Sequence, residues 1–156
     1  MKQLLLIIIY LFQANFLYAS EITQVEVADL NNVIEEIKSD KMVLFFTSWC
    51  KCCIKIIKDL PINNNTILVS LDHDASQIDR FVKELQHNIY YLKPTDDNLK
   101  AINHFGFTKT TIIPGEIILT SYPYIVLLNE NNEVMQKAIG KENVQLILDK
   151  YLCLSH

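Results

Sequence analysis

Three of the chain's four cysteines stand together in Trp49-Cys50-Lys51-Cys52-Cys53. Upstream, Met42 to Thr47 is a mainly apolar run of strand length; downstream, Cys53 to Leu60 reads as a helix stopped by Pro61. The cluster thus falls where a strand hands over to a helix. At a helix N-terminus, free backbone N–H groups and the helix dipole stabilise a thiolate, and the thiolate is the nucleophile of disulfide exchange. Cys50 is the expected nucleophile, and Cys53, one turn on, is placed to attack a mixed disulfide and release the substrate. Cys50 and Cys53 are close enough to bridge, whereas Cys50 and Cys52 would have to close a tighter ring. Cys52 is expected to point away from the bridge on the first helical turn, as a filler or, alternatively, as a second resolving thiol or a copper(I) ligand.

Other chemistry for the same residues is weaker. A zinc site would need a second pair, but Cys153 and the scattered His73, His87, His104 and His156 have no ligand spacing. A purely structural bridge over so short a loop constrains the unfolded chain little. Cys153, on an apolar helix, reads as a small buried hydrophobe. Three soft sulfurs at Cys50, Cys52 and Cys53 leave copper(I) binding as a rival to catalysis. Asp72-His73-Asp74, at a strand end, reads as a solvated turn with Asp74 near a helix start. Three glycines leave no room for a Gly-rich phosphate loop, and a formal charge of −4 argues against a nucleic-acid surface.

The elements that must position the cysteines follow from period and punctuation. With 156 residues, 50% hydrophobic and 21% charged, the chain can form one domain with its own core. Helices are expected from Asp29 as N-cap to Lys38, from Ser76 to Gln86, from Asp96 to His104 and from Glu142 to Leu152. Strands are expected at Met42 to Thr47, Thr66 to Leu71, Ile89 to Leu92, Tyr124 to Leu128 and Val134 to Ile139, the last two around the turn Asn129-Glu130-Asn131-Asn132. Alternation implies parallel pairing with one terminal antiparallel hairpin. Before these elements come Lys2, the apolar run Leu4 to Phe12 and Ala19-Ser20. That is the layout of an export signal, too short for the roughly 20 residues of a membrane span. Residues 1–20 are expected to be a signal peptide cleaved near Ala19 or Ser20, or else an N-terminal anchor, and residues 21–156 the domain.

The lead-in Thr47-Ser48-Trp49-Cys50 and the C-x-x-C resemble the thioredoxin superfamily, which carries W-C-x-x-C at this junction. A distant match strengthens the resemblance: Tyr122-Pro123-Tyr124-Ile125-Val126-Leu127-Leu128-Asn129, then Glu133-Val134, Ala138-Ile139-Gly140 and a closing helix. It implies a thioredoxin-like α/β fold, a central mixed sheet flanked by helices, with a helix–strand insertion in the centre. It also makes Pro123, rather than Pro114, the cis-proline that faces the cysteines and exposes backbone for a substrate strand. The long centre is similar to the exported TlpA/ResA-like branch, whose members mostly reduce specific extracytoplasmic disulfides.

By this resemblance Cys50 and Cys53 are the catalytic, redox-active pair, Trp49, Tyr122 and Pro123 meet the substrate, and no cofactor or metal is required. The implied partners are protein disulfide substrates and a membrane electron donor, in the periplasm or another extracytoplasmic space; a DsbA-like oxidant is the alternative direction. The chain departs from the family at several points. Leu44 stands where thioredoxin has a buried aspartate, Ile56 where some exported members have an acid, Cys52 where proline is usual, and Tyr122 is bulky for its place. The segment 108–121 is longer than the family's loop and is expected to lie beside the cysteines.

Overall fold

The computed structural model describes residues 21–60, 63–85, 87–95, 97–98 and 122–154. The expected leader at residues 1–20, Pro114, the 108–121 segment and, apart from Asp97 and Asn98, the expected helix from Asp96 to His104 lie outside these residues.

Six strands form one mixed sheet in the order β1-β4-β3-β2-β5-β6. They are β1 Ile22–Gln24, β2 Lys41–Phe46, β3 Thr66–Ser70, β4 Ile89–Tyr91, β5 Tyr124–Leu128 and β6 Val134–Ile139, with helices α1 Val27–Glu36, α2 Lys51–Asp59, α3 Asp79–Leu85 and α4 Lys141–Leu154 between and after them. Strands β1, β4, β3 and β2 pair in parallel, while β5 and β6 run antiparallel at the other side. This is a thioredoxin fold, and the α3–β4 unit is its central insertion.

The centre of the sheet is β2, all six of whose residues are buried. Successive strand side chains point to opposite faces, so a strand covered on both sides reads as a nearly continuous apolar run, here Met42 to Phe46. Met42, Leu44 and Phe46 pack in one core with Ile54 and Ile57 of α2, Val82 and Leu85 of α3 and Val144 and Leu148 of α4. Val43 and Phe45 pack in the other with Leu30 and Ile34 of α1, Val126 and Leu128. Two-sided burial fixes the register of β2, and with it where the chain emerges toward the cysteines.

Several boundaries differ from the sequence reading, each for a local reason. The first helix has Glu26 as N-cap, and Asp29 is its third residue, accepting a hydrogen bond from Glu26 N at 3.2 Å. That contact satisfies an N–H the helix would otherwise leave free, so the helix starts earlier than expected. The expected helix from Ser76 divides into a short 3-10 turn, Ala75–Gln77, and α3. Asp74 caps the turn through Ser76 N at 2.9 Å, while Ile78, Val82 and Leu85 are buried as their spacing implies. Strand β1 has no counterpart in the sequence reading. It is three residues of mixed polarity at the sheet edge, held by parallel pairing to β4.

Lys41 opens β2 and is fully buried. Its ammonium donates to the carbonyls of Ile34 and Ile37 at the end of α1 and to Asn132 Oδ1 in the β5–β6 turn. A cation at carbonyls left over by a helix end is favourably placed. Burial pulls the Lys41 pKa below its usual 10.5; Lys38 adds to the fall and Asp40 opposes it. Asn132 adopts φ 63°, a left-handed conformation that asparagine tolerates. Lys41→Met keeps the stem but strands those three acceptors, so it should cost about 1–3 kcal/mol. Urea unfolding of the two chains measures this, and an unchanged midpoint would refute the role given to Lys41.

Candidate active site

The chain leaves β2 at Phe46 and turns at once. Cys50 N donates to Thr47 O at 3.1 Å, and Ile54 N returns to Cys50 O at 3.1 Å as the first turn of α2. Cys50 is the N-cap itself, with φ −79° and ψ 96°, and its sulfur accepts a hydrogen bond from Cys53 N at 3.2 Å. A helix-start N–H therefore points at the Cys50 sulfur, the arrangement that favours its thiolate once the bridge is reduced.

Cys50 and Cys53 are joined as a disulfide with their Cα atoms 5.3 Å apart. Cys53 has no exposed surface and Cys50 retains 8%. Cys52 is a free, partly exposed thiol, the most accessible of the three. It does not point away: its sulfur lies 3.1 Å from Cys50 Sγ, and both sulfurs face the Tyr122 carbonyl, at 4.0 Å and 3.8 Å. Residues two apart inside a helix lie about 200° apart around its axis. Cys50, however, is extended rather than helical, so its side chain and that of Cys52 can share one side of the helix start.

The Tyr122–Pro123 bond is cis. Antiparallel pairing of β5 with β2, in the register Phe45↔Tyr124, carries these two residues from the far end of the sequence to the cysteines. Tyr122 stands beyond the last paired residue of β5, so its carbonyl is not used by the ladder. Its ring meets Trp49 edge-on with centroids 6.0 Å apart, and Trp49 is 64% exposed. Burial, with a smaller contribution from the Asp72 charge, raises the Tyr122 hydroxyl to about 12, so the ring stays neutral through the physiological range. The structure thus brings Trp49, Cys50, Cys53, Tyr122 and Pro123 into one place, together with Cys52.

Asp72 is the residue the sequence reading misplaced. It is completely buried instead of solvated. Its carboxylate accepts from Ser48 N at 3.0 and 2.9 Å, from Ser48 Oγ at 2.8 Å and from Ser70 Oγ at 2.7 Å. These bonds tie the loop before Cys50 to the end of β3. Leu44 and Ile56, the two positions at which the sequence resemblance would place acids, are buried in apolar core. Among the described residues Asp72 is the one buried carboxylate. The available signal was an acid directly after a buried strand that runs parallel to the cysteine strand, where both chains end on the same side of the sheet.

No family model and no curated protein matches the chain. Among solved structures, a candidate thiol:disulfide interchange protein DsbE from Chlorobium tepidum superposes with a TM-score of 0.52 at 13% identity, over 80% of this chain and 83% of that one. StoA from Bacillus subtilis gives 0.44 at 21% identity over 72% and 81%, and the thioredoxin domain of a thiol–disulfide oxidoreductase from Bacteroides vulgatus 0.48 at 15% over 78% and 83%. The first of these likenesses establishes the fold.

Asp72→Asn replaces an acceptor oxygen by an NH2 that faces a donor. The change should destabilise the chain by about 1–3 kcal/mol, read from thermal or urea unfolding. Wild-type stability in that variant would show that the carboxylate does not hold the cysteine loop.

Proposed function

We propose that this thioredoxin-fold chain is an exported thiol–disulfide oxidoreductase that reduces extracytoplasmic protein disulfides. The observation that carries the reading is the Cys50–Cys53 pair at the start of α2, with an N–H aimed at the Cys50 sulfur. In the reduced chain the Cys50 thiolate attacks one sulfur of a substrate disulfide, and the other substrate sulfur leaves as a thiolate. Cys53 then attacks Cys50 Sγ, releases the second substrate thiolate and leaves the bridge seen here. A membrane electron donor is the proposed source of the two electrons that reopen it.

Trp49 and the Tyr122 edge form an exposed aromatic wall beside the bridge, suited to the side chains around a substrate cysteine. The Tyr122 backbone, outside the β5 ladders, can hold an extended substrate segment by strand-like hydrogen bonds. The chemistry needs no cofactor. Because the three sulfurs lie within 4.8 Å of one another, copper(I) binding is the second reading; the bridge between two of them favours redox exchange.

Wild-type chain should catalyse reduction of insulin by dithiothreitol, and Cys50→Ser should lower that rate by about 100-fold or more, as expected for loss of the attacking thiolate. The reduction potential should lie nearer the ~−270 mV of a reducing pair than the ~−120 mV of a strong oxidant. An oxidising value would reverse the direction, and full activity in Cys50→Ser would remove the assignment.

Export rests on Lys2, the Leu4 to Phe12 run and Ala19-Ser20. Among the described residues no helix is long and apolar enough to cross a membrane. Fractionation of the native host should find the chain outside the cytoplasmic membrane, with a mature N-terminus near Glu21 if the leader is cut. Full-length chain soluble in the cytoplasm would refute export.

A further inference from the structure

Cys53 resolves the mixed disulfide in the reading above, yet it is the least accessible sulfur of the three, while Cys52 is the most accessible. Cys52 Sγ is 3.1 Å from Cys50 Sγ, a separation within the roughly 3–3.5 Å of a near-attack arrangement. The contact arises because Cys50 is the extended N-cap and Cys52 lies in the first helical turn. Both sulfurs also face the Tyr122 carbonyl, on the side where substrate would dock. We propose that Cys52 is a second resolving thiol, which discharges protein disulfides from Cys50 in parallel with Cys53. This rests on the oxidoreductase reading.

The exchange balances without an added reagent. With substrate held as Cys50–S–S–R, the Cys52 thiolate attacks Cys50 Sγ, a Cys50–Cys52 bond forms and R–S⁻ leaves with the bonding pair. The proton lost by Cys52 passes to solvent, and R–S⁻ takes one up. The two electrons that reduce the substrate come from Cys50 and Cys52. Cys53 thiolate can then attack Cys50 Sγ and expel Cys52, which moves the bridge to the Cys50–Cys53 position with no net redox change. The surface thiol thereby clears the substrate and the buried thiol stores the bridge.

The test uses the reduced full chain and a dithiobis-nitrobenzoate reagent, which releases one coloured thiolate when Cys50 is capped and a second when the cap is resolved from within. In Cys53→Ser, the second release should stay within about tenfold of wild type and leave a Cys50–Cys52 bridge; in Cys52→Ser/Cys53→Ser it should slow by about 100-fold or more. Trypsin cuts after Lys51 and after Lys55, so in Cys53→Ser, where Cys52 is the one cysteine left on its fragment, mass mapping finds the Cys50 and Cys52 fragments joined only if the Cys50–Cys52 bridge exists. Cys53→Ala repeats the comparison without burying a hydroxyl. Persistence of the capped Cys50 in Cys53→Ser, as long as in the double variant, would overturn the proposal. So would a bridge from Cys50 to Cys153. Insulin turnover by wild type tests the parent reading separately: its loss with the second release intact removes the enzyme assignment and leaves the exchange standing.

Discussion

The site depends on one buried carboxylate. Asp72 gathers the backbone N–H and hydroxyl of Ser48 and the hydroxyl of Ser70, so the loop that leaves β2 is clamped to the end of β3. A buried charge is tolerated only when hydrogen-bonded, and each of those donors would itself be stranded if the carboxylate were absent. The clamp thus holds by mutual need. It positions Ser48, and two residues later Cys50 takes the N-cap of α2 with its sulfur beneath Cys53 N. Everything the sulfurs do follows from that placement.

The clamp can be local because β2 is held from end to end. Both of its faces are packed, and its first residue, Lys41, reaches the last carbonyls of α1 and the turn between β5 and β6. That turn aligns β6 with β5, and β5 delivers Tyr122 and Pro123 to the cysteines. Gly140, at φ 82°, closes the same unit by donating to Pro123 O at 2.8 Å before α4 begins. A left-handed φ there suits glycine, which carries no Cβ to clash. The two halves of the site are about 70 residues apart in the sequence, but they come from the adjacent strands β2 and β5.

The legible parts of the sequence were those where one physical demand dominates. Two-sided burial made β2, β3 and β5 visible as apolar runs, and Asn129 to Asn132 has the composition of a turn. The C-x-x-C beside a strand exit and the distant Tyr122-Pro123 carried the fold and most of the site. What escaped depended on partners far along the chain. Strand β1 is specified by β4 rather than by its own three residues, and Asp72 looks like a surface acid until Ser48 is brought to it. Cys52 was misplaced for a narrower reason: helical periodicity was applied to Cys50, one residue before the helix begins.

The surroundings of Cys50 also bear on the direction of exchange. Cys53 N–H and the start of α2 stabilise negative charge on the sulfur, while the Tyr122 carbonyl presents its oxygen 3.8 Å away and the Asp72 charge lies close enough to act on the Tyr122 hydroxyl. Donors favour the thiolate and the oxygens oppose it. A strongly oxidising pair requires its reduced form to be much stabilised, and at the Cys50 sulfur one N–H donor and one carbonyl oxygen act in opposite senses. A third thiol in contact with Cys50 adds a further route for opening bonds to that sulfur. The Tyr122 carbonyl that faces both sulfurs is also the backbone group that the proposed reading offers to a substrate strand.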